Sequence, residues 1–119
     1  MVGYGVGEPD TDYALANYNP GVLQASVAIP GHILVGGFTV SNTNTAAQFI
    51  WIFDAHDSSS LPSTPCYWIA VAGSGDREVA YLPPREFNTG IVLANSTSAT
   101  TFTAGVADCF FDVQFQTLA

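Results

Sequence analysis

Gln48-Phe-Ile-Trp-Ile-Phe-Asp54 places apolar side chains at every position between its two polar ends. In an extended chain, successive side chains point to opposite sides. Phe49, Trp51 and Phe53 therefore share one face, and Ile50 and Ile52 share the other. A strand that is apolar on both faces has no side to give to water. It belongs in the middle of a sheet that is covered above and below.

Working outward from that strand, the chain reads as strand after strand. Upstream, residues 22–29 alternate loosely and stop at Pro30-Gly31, a turn signal. Residues 33–40 follow, with Gly36-Gly37 in their middle; glycines inside a strand point to a bulge or to the close approach of another backbone. The polar run Ser41-Asn-Thr-Asn-Thr45 predicts a hairpin from this strand into Gln48–Asp54. Downstream, residues 55–65 form a long Ser-rich loop closed by Pro62 and Pro65, and a loop of that length in a small domain is often an interaction element.

Residues 66–72 are the next strand, with Tyr67, Ile69 and Val71 on one face and Cys66, Trp68, Ala70 and Ala72 on the other. Gly73-Ser-Gly-Asp76 turns the chain into a short strand over residues 78–82, which Pro83-Pro84 is expected to end. Residues 87–96 are another strand, apolar at residues 91–94. A Thr/Ser-rich segment, residues 97–103, carries one large apolar side chain, Phe102. The last strand, residues 109–116, has the cleanest period of two: Cys109, Phe111, Val113 and Phe115 face in, and Phe110 breaks the pattern as an outward aromatic.

No window has a capped helical period. Seven or eight short strands separated by Gly, Pro, Asn and Ser turns predict an all-β fold, an antiparallel β-sandwich or jelly roll. Residues 1–20 differ from the rest. Gly3, Gly5, Gly7, Pro9 and Pro20 interrupt any regular element there, and Tyr4, Tyr13 and Tyr18 stand between them. The domain organisation read from this is an extended arm, residues 1–20, and a sandwich domain, residues 21–119. Tyrosine suits interfaces, so the arm is expected to order against another subunit.

Composition narrows the partners. The 119 residues include ten Asp and Glu, two Arg and no Lys, for a formal net charge of −8. A polyanion would be repelled, which argues against direct nucleic-acid binding. No apolar run approaches the length of a membrane span, and Met1-Val-Gly-Tyr-Gly has neither the basic start nor the apolar core of a signal peptide. Charged residues are 10% of the chain against 48% hydrophobic, so the surface is expected to be polar but uncharged, or covered by neighbours. Cys66 and Cys109 both lie in apolar runs and read as buried, unreactive thiols; a bond between neighbouring strands is the alternative.

Chemistry has few footholds. His32 follows a turn and reads as solvated. Asp54-Ala-His56-Asp57 lacks a partner cluster at a metal-binding spacing and reads as a polar loop start, with Asp54 bonding backbone at the strand end. Glu8-Pro-Asp10-Thr-Asp12 alternates carboxylates but lacks the later glycine and bidentate glutamate of a calcium loop. Asp76 and Glu78 point the same way with no cleft to serve. Asn95-Ser-Thr97 matches a glycosylation sequon. Tyr67 and Trp68 read as too deep in their strand to stack on a sugar. Arg77 and Arg85 are expected either to pair with Glu86 or Asp112 or to bridge subunits. No catalytic, cofactor or metal site emerges, and the chain is not expected to be an enzyme.

Several stretches, in order, carry a resemblance: Val40-Ser-Asn-Thr-Asn-Thr-Ala-Ala, Ile52-Phe-Asp, Leu61-Pro with Pro65, Phe87-Asn-Thr-Gly-Ile-Val-Leu-Ala-Asn-Ser-Thr, and Ala107-Asp-Cys-Phe-Phe-Asp-Val-Gln. Over roughly residues 22–116 this pattern of turns and strand ends resembles small virion proteins of tailed bacteriophages. The resemblance implies a β-sandwich structural protein of the virion, best suited to capsid decoration (cement) on the outer shell, with a tail or fibre component binding receptor or glycan as the alternative. It implies the major capsid protein and further copies of the chain, as a trimer or dimer, for partners, and no cofactor. Tyr4, Tyr13, Tyr18, Arg77, Arg85 and Phe110 are the candidate subunit or capsid contacts.

Overall fold

A computed structural model describes residues 16–118. Among these residues there are eight strands and no helix: β1 (Ala16–Tyr18), β2 (Ser26–Pro30), β3 (Ile33–Asn42), β4 (Gln48–Asp54), β5 (Tyr67–Val71), β6 (Asp76–Phe87), β7 (Gly90–Ser96) and β8 (Cys109–Thr117). They form two four-stranded antiparallel sheets, sheet I in the order β1-β8-β3-β6 and sheet II in the order β2-β7-β4-β5. First pairs with last, second with seventh, third with sixth and fourth with fifth. That is a long hairpin rolled up on itself, the eight-stranded jelly roll. The expected all-β sandwich is therefore the observed fold. Of the expected arm, only the part from Ala16 lies within the described residues.

β4 sits where its two apolar faces require. It runs between β7 and β5 in sheet II. Ile50 and Ile52 are fully buried in the main core with Phe38, Val40, Phe111 and Val113 from sheet I. Trp51 and Phe53 point outward and are buried too, because Leu61 and Phe102 from the loops of residues 55–66 and 97–108 pack over them. Phe102 meets Trp51 and Phe53 edge-on, with centroids at 5.6 and 5.9 Å, and the Trp51 indole N–H donates to Ser98 O at 3.1 Å. β7 is buried along its whole length for the same reason.

Some expectations fail. The turn after Asn42 makes no hairpin: β3 belongs to sheet I and β4 to sheet II, so the chain crosses between layers. Asn42 anchors that crossing. Its Nδ2 lies within reach of the carbonyls of Ala46, Val71 and Ala72, and its Oδ1 accepts from Asn44 N. Pro83-Pro84 does not end a strand; β6 continues through it to Phe87. β6 is the outer strand of sheet I, where a missing N–H leaves no ladder bond unmade. The bulge expected at Gly36-Gly37 is present, with the register shifting between Val35 and Gly37 against both neighbours. A Cβ on Gly37 would lie 2.4 Å from Val79 O, so the strands meet there only because the residue is glycine.

Both arginines tie the two sheets together at one edge. Arg77 Nη1 donates to Ala70 O at 2.9 Å. The Arg85 guanidinium lies over the rings of Tyr67, Tyr81 and Phe87 at 5.4, 5.9 and 5.4 Å, and the hydroxyls of Tyr67 and Tyr81 hydrogen-bond to each other. Tyr81 titrates above its ordinary range because it is desolvated there and bonded to Tyr67.

Candidate interaction surface

The residues with latent chemistry are spent on structure. Asp54 accepts hydrogen bonds from the backbone N–H groups of Asn88, Thr89 and Gly90 at 3.1, 2.8 and 3.3 Å, pinning the β6–β7 turn as its place at a strand end suggests. Asp57 is held by Ser59, His56 and Ser60, and these bonds keep its carboxyl well below the usual range. His32 sits at a turn, part-exposed, and pairs with Glu86. Among the described residues no three His, Cys, Asp or Glu converge as metal ligands. Glu8, Asp10 and Asp12 lie outside them. Asn95 is 1% exposed, with Nδ2 donating to Val106 O and Asp108 Oδ1, so the sequon is buried in the fold.

The cysteines differ from expectation in one respect. Both are free, and Cys109 is buried, but Cys66 is exposed. Cys66 precedes β5, an outer strand of sheet II, and no layer covers it there. The same edge exposes Trp68 to 43%, with Phe49 packed edge-on against it at 5.6 Å. The reading of Trp68 as a deep residue is thus corrected; period-two alternation gives a face but not whether a layer covers it.

Among the described residues, the outer face of sheet I is the broad surface left open. Strand alternation and register define it. Thr39 stands between Asp112 of β8 and Glu78 of β6, Ser41 between Phe110 and Asp76, and Leu34 between Gln116 and Glu86. Ser41 Oγ donates to Asp76 Oδ1 at 2.5 Å, which confirms the shared face. Neighbouring strands are about 4.8 Å apart, so the acids of β6 and β8 flank β3 at about 10 Å. Phe110 is 40% exposed here. Beside it lies a shallow cavity of about 220 Å³ lined by Asn19, Thr39, Ser41, Phe110, Phe111 and Asp112. Asp112 Oδ2 accepts from Asn19 Nδ2 at 3.5 Å, a weak bond, and Oδ1 is buried without a partner.

Among the contact candidates, Phe110 is on this face and Tyr18, 37% exposed opposite Val113, is on the adjoining edge. Arg77 and Arg85 are not on it. They pair in register with Val40 and Val35, whose side chains point into the core, and they bond neither Glu86 nor Asp112. Tyr4 and Tyr13 lie outside the described residues. Sequence reading passed over Thr39, Glu78 and Asp112 as one surface, because they come together only through the pairing of β3 with both β6 and β8. At one end of the sandwich, Val22, Leu23 and Val106 are also exposed, on two loops joined by the Gln24–Cys109 bridge.

The described residues thus form an eight-stranded jelly roll with one outer face roofed by loops and one left open. No protein-family model matches the chain, and no curated protein does. Among solved structures, the coat protein of Tobacco streak virus is similar, at a TM-score of 0.45 and 8% identity over 94% of this chain and 91% of that one.

Proposed function

We propose that this chain is a structural protein of a virion, a decoration (cement) protein that binds the outer shell in many copies and stabilises it. Fold alone does not assign function. The observation that carries a binding role is the outer face of sheet I, open among the described residues, with Phe110 exposed at one end of it while the opposite face is roofed by the chain's own loops. The sequence resemblance over residues 22–116 supplies the virion setting. Binding only to the assembled shell stabilises it by mass action and needs no active site. Copies of the chain meet as a trimer or dimer, for which the exposed Val22, Leu23 and Val106 supply apolar area. The arm, with Tyr4, Tyr13 and Tyr18, grips a neighbour.

Quantitative mass spectrometry of purified particles tests this. Decoration requires copies in simple ratio to the major capsid protein, and absence from the particle overturns the reading. Truncation refines it: because Ala16–Tyr18 forms β1 on β8, removal of residues 1–15 should weaken shell binding and leave the sandwich folded.

A tail or fibre component that binds glycan is the second reading, and exposed Trp68 beside Phe49 favours it, since an open aromatic face stacks on sugars. It requires a low copy number per particle and a glycan-array signal that Trp68→Ala abolishes.

A further inference from the structure

We propose that the outer face of sheet I docks onto a basic protein surface, one presenting arginine and lysine around a small apolar contact at Phe110. This rests on the decoration reading, in which that surface belongs to the assembled shell.

The argument is one of sorting. Seven carboxylates lie within the described residues: Asp54, Asp57, Asp76, Glu78, Glu86, Asp108 and Asp112. Asp54, Asp57 and Asp108 are engaged by turns and loops of the chain itself. The other four all project from the outer face of sheet I. β6 reads Asp76-Arg77-Glu78 and Arg85-Glu86, so alternation sends every acid of those pairs outward and both arginines inward. The chain has no lysine, and its only two arginines are held by Ala70 O and by the aromatic edge. The face is left acidic, with His32 paired to Glu86 at one end of it.

That sorting selects the occupant. A second copy laid face to face would set carboxylates against carboxylates, and like charges across an interface cost several kcal/mol. A basic surface meets complementary potential instead. The 3.5 Å bond from Asn19 to Asp112 Oδ2 is also weak enough to give way to an arriving guanidinium or ammonium. Phe110, beside the 220 Å³ cavity and across Ser41 from Asp76, supplies an apolar anchor at that end of the face.

The test is binding of the full chain to shells of its own virus assembled without it. Three forms are compared: the unmodified chain, a face variant with Glu78→Gln and Asp112→Asn, and a control with Ser63→Lys and Thr64→Lys in the exposed loop of residues 55–66. Both doubles change the net charge equally. The face variant should bind about tenfold or more weakly and the control close to normally, and binding of the unmodified chain should fall as salt rises. Phe110→Ala should weaken binding without touching charge, and it serves if the carboxylate variant melts early. Equal losses in the face variant and the control overturn the proposal. So does salt-independent binding that ignores the face variants, though the decoration reading then stands. If the unmodified chain does not bind, both fall.

Discussion

The two outer faces of this sandwich have the same backbone and opposite fates. Sheet II turns Trp51, Phe53, Val92 and Ala94 outward and then covers them with Leu61 and Phe102. Sheet I turns Thr39, Ser41, Glu78 and Asp112 outward, and among the described residues the one loop side chain bonded to them is Asn19, on Asp112. A jelly roll needs only its inner faces to be apolar. The loops of residues 55–66 and 97–108 therefore build a second core outside the first on one side, and the described residues build none on the other.

The largest expected effect is on the roofed side. Phe53 is 2% exposed beneath Phe102, and Phe53→Ala should cost about 3–5 kcal/mol, read as a lowered urea midpoint. A loss below about 1 kcal/mol would mean that the roof is no core at all.

Next come the thiols. Cys66 is open and should label readily in the native protein, whereas Cys109, 0% exposed, should label only on unfolding, at least about 10³-fold more slowly. Burial, then the neighbouring Asp108, pushes the Cys109 thiol up from 9.0 to about 12. The folded state thus holds a proton that the unfolded chain releases. This contribution is complete below about pH 9 and is lost as pH rises toward 12, so stability should fall between pH 9 and 12. A Cys109→Ala variant with an unchanged alkaline profile would assign that fall to Tyr81 instead.

How far the sequence foretold this comparison depends on what each signal encodes. Residues 49–53 announced a doubly covered strand because both of its faces are apolar. They could not say that the upper cover is Phe102, about fifty residues downstream in a Thr/Ser segment of no period. Pro83-Pro84 was read as a stop because proline breaks ladders, yet an outer strand has a side with no ladder to break. The expected hairpin after Asn42 failed for a topological reason: in a rolled hairpin the pairs are first with last, and β3 finds β6 and β8 instead of β4. Phe110 was legible as an exception to strict alternation. The acidic face around it was not, since Asp112, Thr39 and Glu78 are far apart in the chain and meet only in register.

The roof itself gives a smaller effect than the floor it covers. Phe102 is only half-buried, and Phe102→Ala should cost about 1–2 kcal/mol, less than a fully buried ring, with Trp51 fluorescence shifting red as water reaches the indole. A cost equal to that of Phe53→Ala would make the two loops part of one core with sheet II.

The smallest effect sharpens the contrast most. Phe110→Ala removes the same side chain as Phe53→Ala, from a strand equally central to its sheet, but on the face without a cover. A 40% exposed ring has little burial to lose, and the isolated chain should change by no more than about 0.5 kcal/mol. A stability loss comparable to that at Phe53 would show that Phe110 is already covered within the chain, and sheet I would then have no open face to offer. A neutral result leaves an aromatic side chain on open ground that the fold does not need, at the end of the sheet that carries Asp76, Glu78 and Asp112, and its use must be sought in a partner.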